Sequence, residues 1–202
     1  MQKRTTRRLI VALAALVVLS AIATGVFYYV KTLYPRRFEE VVPGCLYRGG
    51  QPTPAQLERI VREKGIKTLV NLRHEDRWLN DPKCIFEREY AEKHGLKFVG
   101  LALTLPPTEE QVRQALDLID DEKNWPVLFH CSAGIERSGI IIAIYRIERQ
   151  GWTNQRALDE MLSKGVPTAR ERSGDPVKYA AYLRAYVPRF PKAPPSPAPP
   201  SH

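Results

Sequence analysis

Cysteine is scarce in this chain of 202 residues: there are three, Cys45, Cys84 and Cys131. They form no CxxC pair and fall at no His/Cys spacing that suits a metal, so neither a disulfide scaffold nor a zinc site is expected. No metal and no other cofactor is called for. Basic runs interleaved with aromatics are also missing, which removes nucleic acid from the expected partners. The three Trp residues accordingly read as packing groups rather than a base-stacking platform. The net charge of +9 still fits a polyanionic partner such as phosphate or anionic lipid, although Lys and Arg mostly cover solvated faces. No internal repeat is visible.

What is present divides the chain into four parts. Residues 9–30 carry no charge and are flanked by Lys3, Arg4, Arg7 and Arg8 before and by Lys31, Arg36 and Arg37 after. Such a run is long enough for a hydrocarbon core of about 30 Å. The basic excess on the N-terminal side predicts a single-pass membrane protein with residues 1–8 cytoplasmic and the domain on the outer, periplasmic side. Ser20-Ala21-Ile22-Ala23 could instead end a signal peptide, but the apolar run continues through residues 26–30. The far end, 188–202, is rich in Pro, Ala and Ser and reads as an extended, disordered tail. Between them, 38–187 is a comfortable size for one domain.

Within that domain, apolar strand-like runs alternate with amphipathic helices. Residues 41–47 and 66–72 read as strands, the first interrupted by Pro43-Gly44. Thr53-Pro54-Ala55-Gln56 supplies an N-cap, a helix-starting Pro and a capping-box Gln, and Leu57, Ile60 and Val61 follow as the apolar stripe to a stop at Gly65. After a polar loop at 73–77, a helix is predicted over 82–94, with Asp81 as its N-cap, and a strand over 96–103. Thr108 and Gln111 open another helix, which carries Val112, Leu116 and Ile119 on one face. Helices over 138–150, 154–162 and 176–186 close the domain. This order predicts an α/β fold with a central, mostly parallel sheet flanked by helices, preceded by the transmembrane helix.

One stretch organises the rest. Residues 126–129 form a short buried strand, 140–147 are apolar at helical spacing, and Cys131 to Ser138 join them. A tight strand-to-helix loop of this kind gathers backbone N–H groups and a helix dipole around an anion. Cys131 there is expected to be a thiolate and a nucleophile. Arg137 offers a planar fork to two phosphate oxygens. Gly134 permits the positive φ that lets the amides of Ser132, Ala133, Gly134, Ile135, Glu136 and Arg137 turn inward. Ser138 can donate to the sulfur when it leaves, and His130 can brace the loop. Such a thiolate needs no metal. Cys45 and Cys84 read as small buried hydrophobes, with a redox link to Cys131 left open.

His130-Cys131-x5-Arg137-Ser138 resembles the signature of the cysteine-dependent protein tyrosine phosphatase superfamily. Leu46-Tyr47-Arg48-Gly49-Gly50-Gln51-Pro52 and Gly65-Ile66-Lys67-Thr68-Leu69-Val70-Asn71-Leu72-Arg73 are similar to the opening of its small atypical dual-specificity members from bacteria, plants and fungi. The resemblance covers about residues 41–165. It implies a dual-specificity phosphatase-like domain that hydrolyses phosphomonoesters of protein through a cysteinyl-phosphate. The same chemistry on a phospholipid or an inositol (pyro)phosphate is the alternative. A phosphate-binding pseudophosphatase is a further one, opposed by the intact Cys131, Arg137 and Ser138. A sulfurtransferase fits the five-residue spacing less well.

The departure from this family lies at 96–107. There the family generally carries an Asp that protonates the leaving oxygen, and this sequence has no acid. Asp76, in the loop after the second strand, Glu136, inside the P-loop, and Asp81, read first as a helix N-cap, are the conceivable replacements, with Asp76 preferred slightly over Glu136. A good leaving group such as a pyrophosphate would need no acid at all. Arg73 is open between an ion pair and substrate binding.

Overall fold

A computed structural model describes residues 2–165 and 175–190. The chain forms two compact units, Met1–Tyr34 and Pro35–His202. The first consists of helix α1, Gln2–Thr32, whose Leu13, Leu16, Val17, Leu19, Ile22, Val26 and Phe27 are exposed. The expected transmembrane anchor over 9–30 is corrected here. Among the described residues, no helix is long and apolar enough to cross a membrane. The single-pass reading, with its outer-side placement of the domain and its membrane partner, falls with the anchor.

The second unit is built on a five-stranded sheet. Its strands are β1 (Glu39–Val42), β2 (Leu46–Gly50), β3 (Thr68–Asn71), β4 (Lys97–Gly100) and β5 (Val127–Cys131), in the order β1-β2-β5-β3-β4. β5 lies in the middle, parallel to β2 on one side and β3 on the other, and β4 runs parallel to β3. Only β1 is antiparallel. The predicted strand over 41–47 is thus a hairpin, because the chain reverses at Pro43-Gly44, where Gly44 takes a φ of +68°.

The helices are α2 (Pro54–Lys64), α3 (Glu75–Asn80), α4 (Pro82–Lys93), α5 (Glu109–Asp120), α6 (Glu136–Gln150), α7 (Asn154–Ser163) and α8 (Pro176–Arg184). Reciprocal capping boxes start α2 at Thr53 and Gln56 and α5 at Thr108 and Gln111. Asp81 caps α4 by accepting from the Lys83 amide at 3.0 Å. A short helix, α3, stands where a polar loop was expected.

Helices cover both faces of the sheet, so its central strands are buried on both and read as nearly continuous apolar runs. Alternation along β5 sends Val127, Phe129 and Cys131 into the larger core, with Ile140, Ile144, Leu158 and Met161 from α6 and α7. Leu128 and His130 face the opposite side. Tyr186 and the amides of Arg189 and Phe190 hydrogen bond to Glu148 on α6. Residues 191–202, most of the Pro-rich tail, lie outside the described residues.

Candidate active site

The carboxyl end of β5 delivers Cys131 into the turn that becomes α6, at the edge of a parallel sheet where such folds place ligands. Its neighbour across the ladder is Gly50 of β2, and His130 lies opposite Asn71 of β3. Cys131 is buried, at 3% exposure.

Three successive carbonyls of the turn are held from outside. Ser132 O accepts from the Gln51 amide at 3.1 Å. Ala133 O accepts from Arg37 Nη1 at 3.0 Å, and Gly134 O from Arg48 Nη2 at 2.9 Å. A trans peptide carries its C=O and N–H on opposite sides, so the amides of Ala133, Gly134 and Ile135 are turned into the loop. The Gly134 N–H indeed donates to Cys131 Sγ at 3.3 Å. Gly134 has a φ of +74°, and a Cβ there would fall 2.7 Å from the Gly50 nitrogen. Both conformation and space therefore demand glycine.

Ser138, on the first turn of α6, places Oγ 3.6 Å from Cys131 Sγ. Arg137 donates through Nε to Leu103 O at 3.0 Å. This fixes its fork and leaves both terminal nitrogens without a hydrogen bond among the described residues. Burial lowers the Arg137 pKa, while the charges of Cys131, Glu136 and Asp76 act to raise it. The array can hold a tetrahedral oxyanion against a sulfur, from the amides on one side and the guanidinium on the other.

Behind the loop lies a buried polar network. His130 Nε2 approaches Glu87 Oε1 to 2.6 Å, both side chains essentially unexposed. The contact is one of proximity rather than an aligned hydrogen bond, since neither atom completes a hydrogen bond. The other Glu87 oxygen accepts from Gln51 and Asn71. Arg73 pairs with Asp81 at 2.7 Å and also donates to Gln51 and to Cys84 Sγ. Arg73 is therefore an ion-pair residue, and burial pushes the Cys84 thiol pKa up.

The acids fall as follows. The 96–107 segment supplies the Leu103 carbonyl to Arg137 and no carboxyl group. Asp76 lies on α3, exposed, beside Arg77. That helix packs against the carboxyl end of β4: a Cβ on Gly100 would come 2.7 Å from the Trp78 ring. Asp76 thus stands at the same sheet edge as the loop, and its field reaches Arg137. Glu136, the first residue of α6, is buried at 3%.

Among the described residues, no cluster of three or more His, Cys, Asp or Glu could hold a metal ion. Sequence reasoning missed Arg37, Arg48 and Glu87, which grip or back the loop. For Arg48 a signal existed, since a charged residue in a central strand buried on both faces is unusual.

Residues 37–174 match the family model described as a DSP-PTPase phosphatase fused to NAD+ kinase. The chain is 30% identical to the tyrosine-protein phosphatase-like protein OCA2 of Saccharomyces cerevisiae, over 61% of this chain and 62% of that protein. It is 32% identical to the dual specificity protein phosphatase TpbA of Pseudomonas aeruginosa, over 59% of this chain and 51% of that one. The chain therefore spans between half and two thirds of the length of these relatives. Among solved structures, the core catalytic domain of the PP-IP phosphatase Siw14 from S. cerevisiae superposes with a TM-score of 0.63. That match is at 20% identity and covers 76% of this chain and 87% of Siw14's, a likeness of fold.

Proposed function

The chain belongs to the family described as a DSP-PTPase phosphatase fused to NAD+ kinase, and on that premise we propose that its domain over 38–187 is a cysteine-dependent phosphomonoesterase. The carrying observation is the turn itself: three carbonyls held outward, the Gly134 N–H on the Cys131 sulfur, and the Arg137 fork left open.

The Cys131 thiolate attacks phosphorus, forming an S–P bond as the P–O bond to the leaving group breaks. Amides of the loop and Arg137 take the charge of the equatorial oxygens, where preorganised donors act most strongly. Asp76 gives its proton to the leaving oxygen, with Glu136 as the other carboxyl near the loop. Water then attacks the cysteinyl-phosphate, its proton passes to the carboxylate, and the departing sulfur is met by the Ser138 hydroxyl. Phosphotyrosine or phosphoserine/threonine of a protein is the preferred substrate, in line with the names of OCA2 and TpbA.

A second reading is favoured by one observation, the absence of an acid in 96–107. A pyrophosphate releases a phosphate that leaves without protonation, and the PP-IP phosphatase Siw14 shares the fold. Phospholipid phosphates, whose alkoxide leaving group needs a proton, gain no support from that observation and stand as a separate alternative.

Cys131→Ser is the test of the mechanism: turnover of an aryl phosphate should vanish while inorganic phosphate still binds. Retained turnover refutes it. Phosphopeptides, lipid phosphates and inositol pyrophosphates assayed side by side on wild-type protein separate the substrate classes.

A further inference from the structure

Arg48 is a charged residue in a strand buried along its whole length. It sits beside Phe129 of β5 in the parallel ladder and so points to the same face as the first turns of α6. Its exposure is 1%. Nη2 reaches Gly134 O at 2.9 Å, while Nε is buried without a partner. Gly139 of α6 lies against it, its would-be Cβ 3.4 Å from Nη2 and, more tightly, 2.9 Å from Met161 Cγ.

Among the described residues, no carboxylate pairs with this guanidinium. The acids whose fields reach it are Glu39 and Glu160, and each is engaged elsewhere, with Lys164 at 2.8 Å and Arg146 at 2.9 Å. A buried cation with no counter-ion is strongly destabilising. Burial accordingly lowers the Arg48 pKa, and the Cys131 charge is among those that act to raise it.

We propose that Arg48 is a positioning residue of the oxyanion site: it fixes the Gly134 peptide from beneath, and its counter-charge is the anion that the P-loop holds. The proposal rests on the phosphatase reading above. By gripping the Gly134 carbonyl it keeps the Ile135 N–H, on the opposite side of that peptide unit, directed into the loop. Its unpaired charge favours the state with a bound anion over the empty one. The position therefore gives up stability in the empty protein and recovers it on binding.

The test compares wild type, Arg48→Met and Arg48→Lys in the full chain. It uses thermal unfolding with and without inorganic phosphate, phosphate affinity by calorimetry, and turnover of p-nitrophenyl phosphate. Arg48→Met is expected to unfold without phosphate at or above the wild-type temperature, to lose the phosphate-induced rise, and to bind phosphate roughly 10- to 100-fold more weakly. Its kcat/KM should fall about 100-fold. Arg48→Lys keeps the charge without the fork and should lie between the two. A purely structural role gives the reverse pattern, a lower unfolding temperature with unchanged phosphate affinity, and that result overturns the proposal. Should Arg48→Met fail to fold, Arg48→Lys decides, and affinity and turnover equal to wild type overturn the proposal. A wild-type protein that neither binds phosphate nor turns over the ester refutes the phosphatase reading instead.

Discussion

Gly134→Ala tests whether the P-loop works through its backbone. The substitution adds one methyl group, yet two independent costs follow. At a φ of +74° a non-glycine residue pays about 1–2 kcal/mol for the left-handed conformation. The new Cβ falls 2.7 Å from the Gly50 nitrogen and 2.8 Å from the Gly49 carbon. Both are backbone atoms of β2 and cannot rotate away, so the loop must lift, at about 1–3 kcal/mol for overpacking. The sum, roughly 2–5 kcal/mol, corresponds to a fall in Tm of about 4–20 °C for a domain of this size. Lifting the loop also removes the Gly134 N–H from Cys131 Sγ, where it now donates at 3.3 Å. Loss of one oxyanion donor costs about 100- to 1,000-fold in kcat. The assay is hydrolysis of p-nitrophenyl phosphate at a temperature where circular dichroism shows the variant folded, alongside a melting curve. A variant within about 2 °C and threefold of wild type, inside the range of a neutral surface substitution, would refute the reasoning.

Two further predictions concern the carboxyl groups. If Asp76 protonates the leaving oxygen, Asp76→Asn should slow aryl phosphates of high leaving-group pKa much more than those of low pKa. An equal loss across the series removes Asp76 from that role. For Asp81, burial pushes the carboxyl pKa up, but the hydrogen bonds from Arg73 and the Lys83 amide and the fields of both cations outweigh it, so the net shift is downward. A depressed folded-state pKa stabilises above the unfolded value of about 4, and that stability is lost as pH falls through the folded value. Asp81→Asn, which keeps an N-cap, should therefore unfold well below wild type near neutral pH. The gap should shrink as pH falls below about 4 and close only below the lower folded-state value, and a gap that does not change with pH contradicts the ion-pair account.

Much of the fold was legible because its signals are local. Thr53-x-x-Gln56 and Thr108-x-x-Gln111 form the capping boxes that their spacing predicts, and Cys131, Gly134, Arg137 and Ser138 meet at one turn because a single strand and helix carry them. What escaped depends on chain segments far apart in sequence. Arg37 and Arg48 reach Ala133 and Gly134 across 96 and 86 residues, and no periodicity in the sequence encodes such contacts. Helix α3 was missed because six polar-rich residues show no apolar stripe; it is fixed by Trp78 packing on Gly100. The membrane anchor was read from an uncharged run alone, and the described part of α1 does not support it.

The central claim is that Cys131 takes the phosphoryl group during turnover. Rapid mixing of wild-type protein with p-nitrophenyl phosphate, acid quenching within one turnover and peptide mass spectrometry test this directly. The account predicts a phosphoryl adduct on the peptide containing Cys131, with a burst of nitrophenol of equal amount wherever its breakdown limits the rate, and no adduct in Cys131→Ser. Turnover in wild type with no thiol-bound phosphate at any quench time, or undiminished turnover in Cys131→Ser, would contradict it.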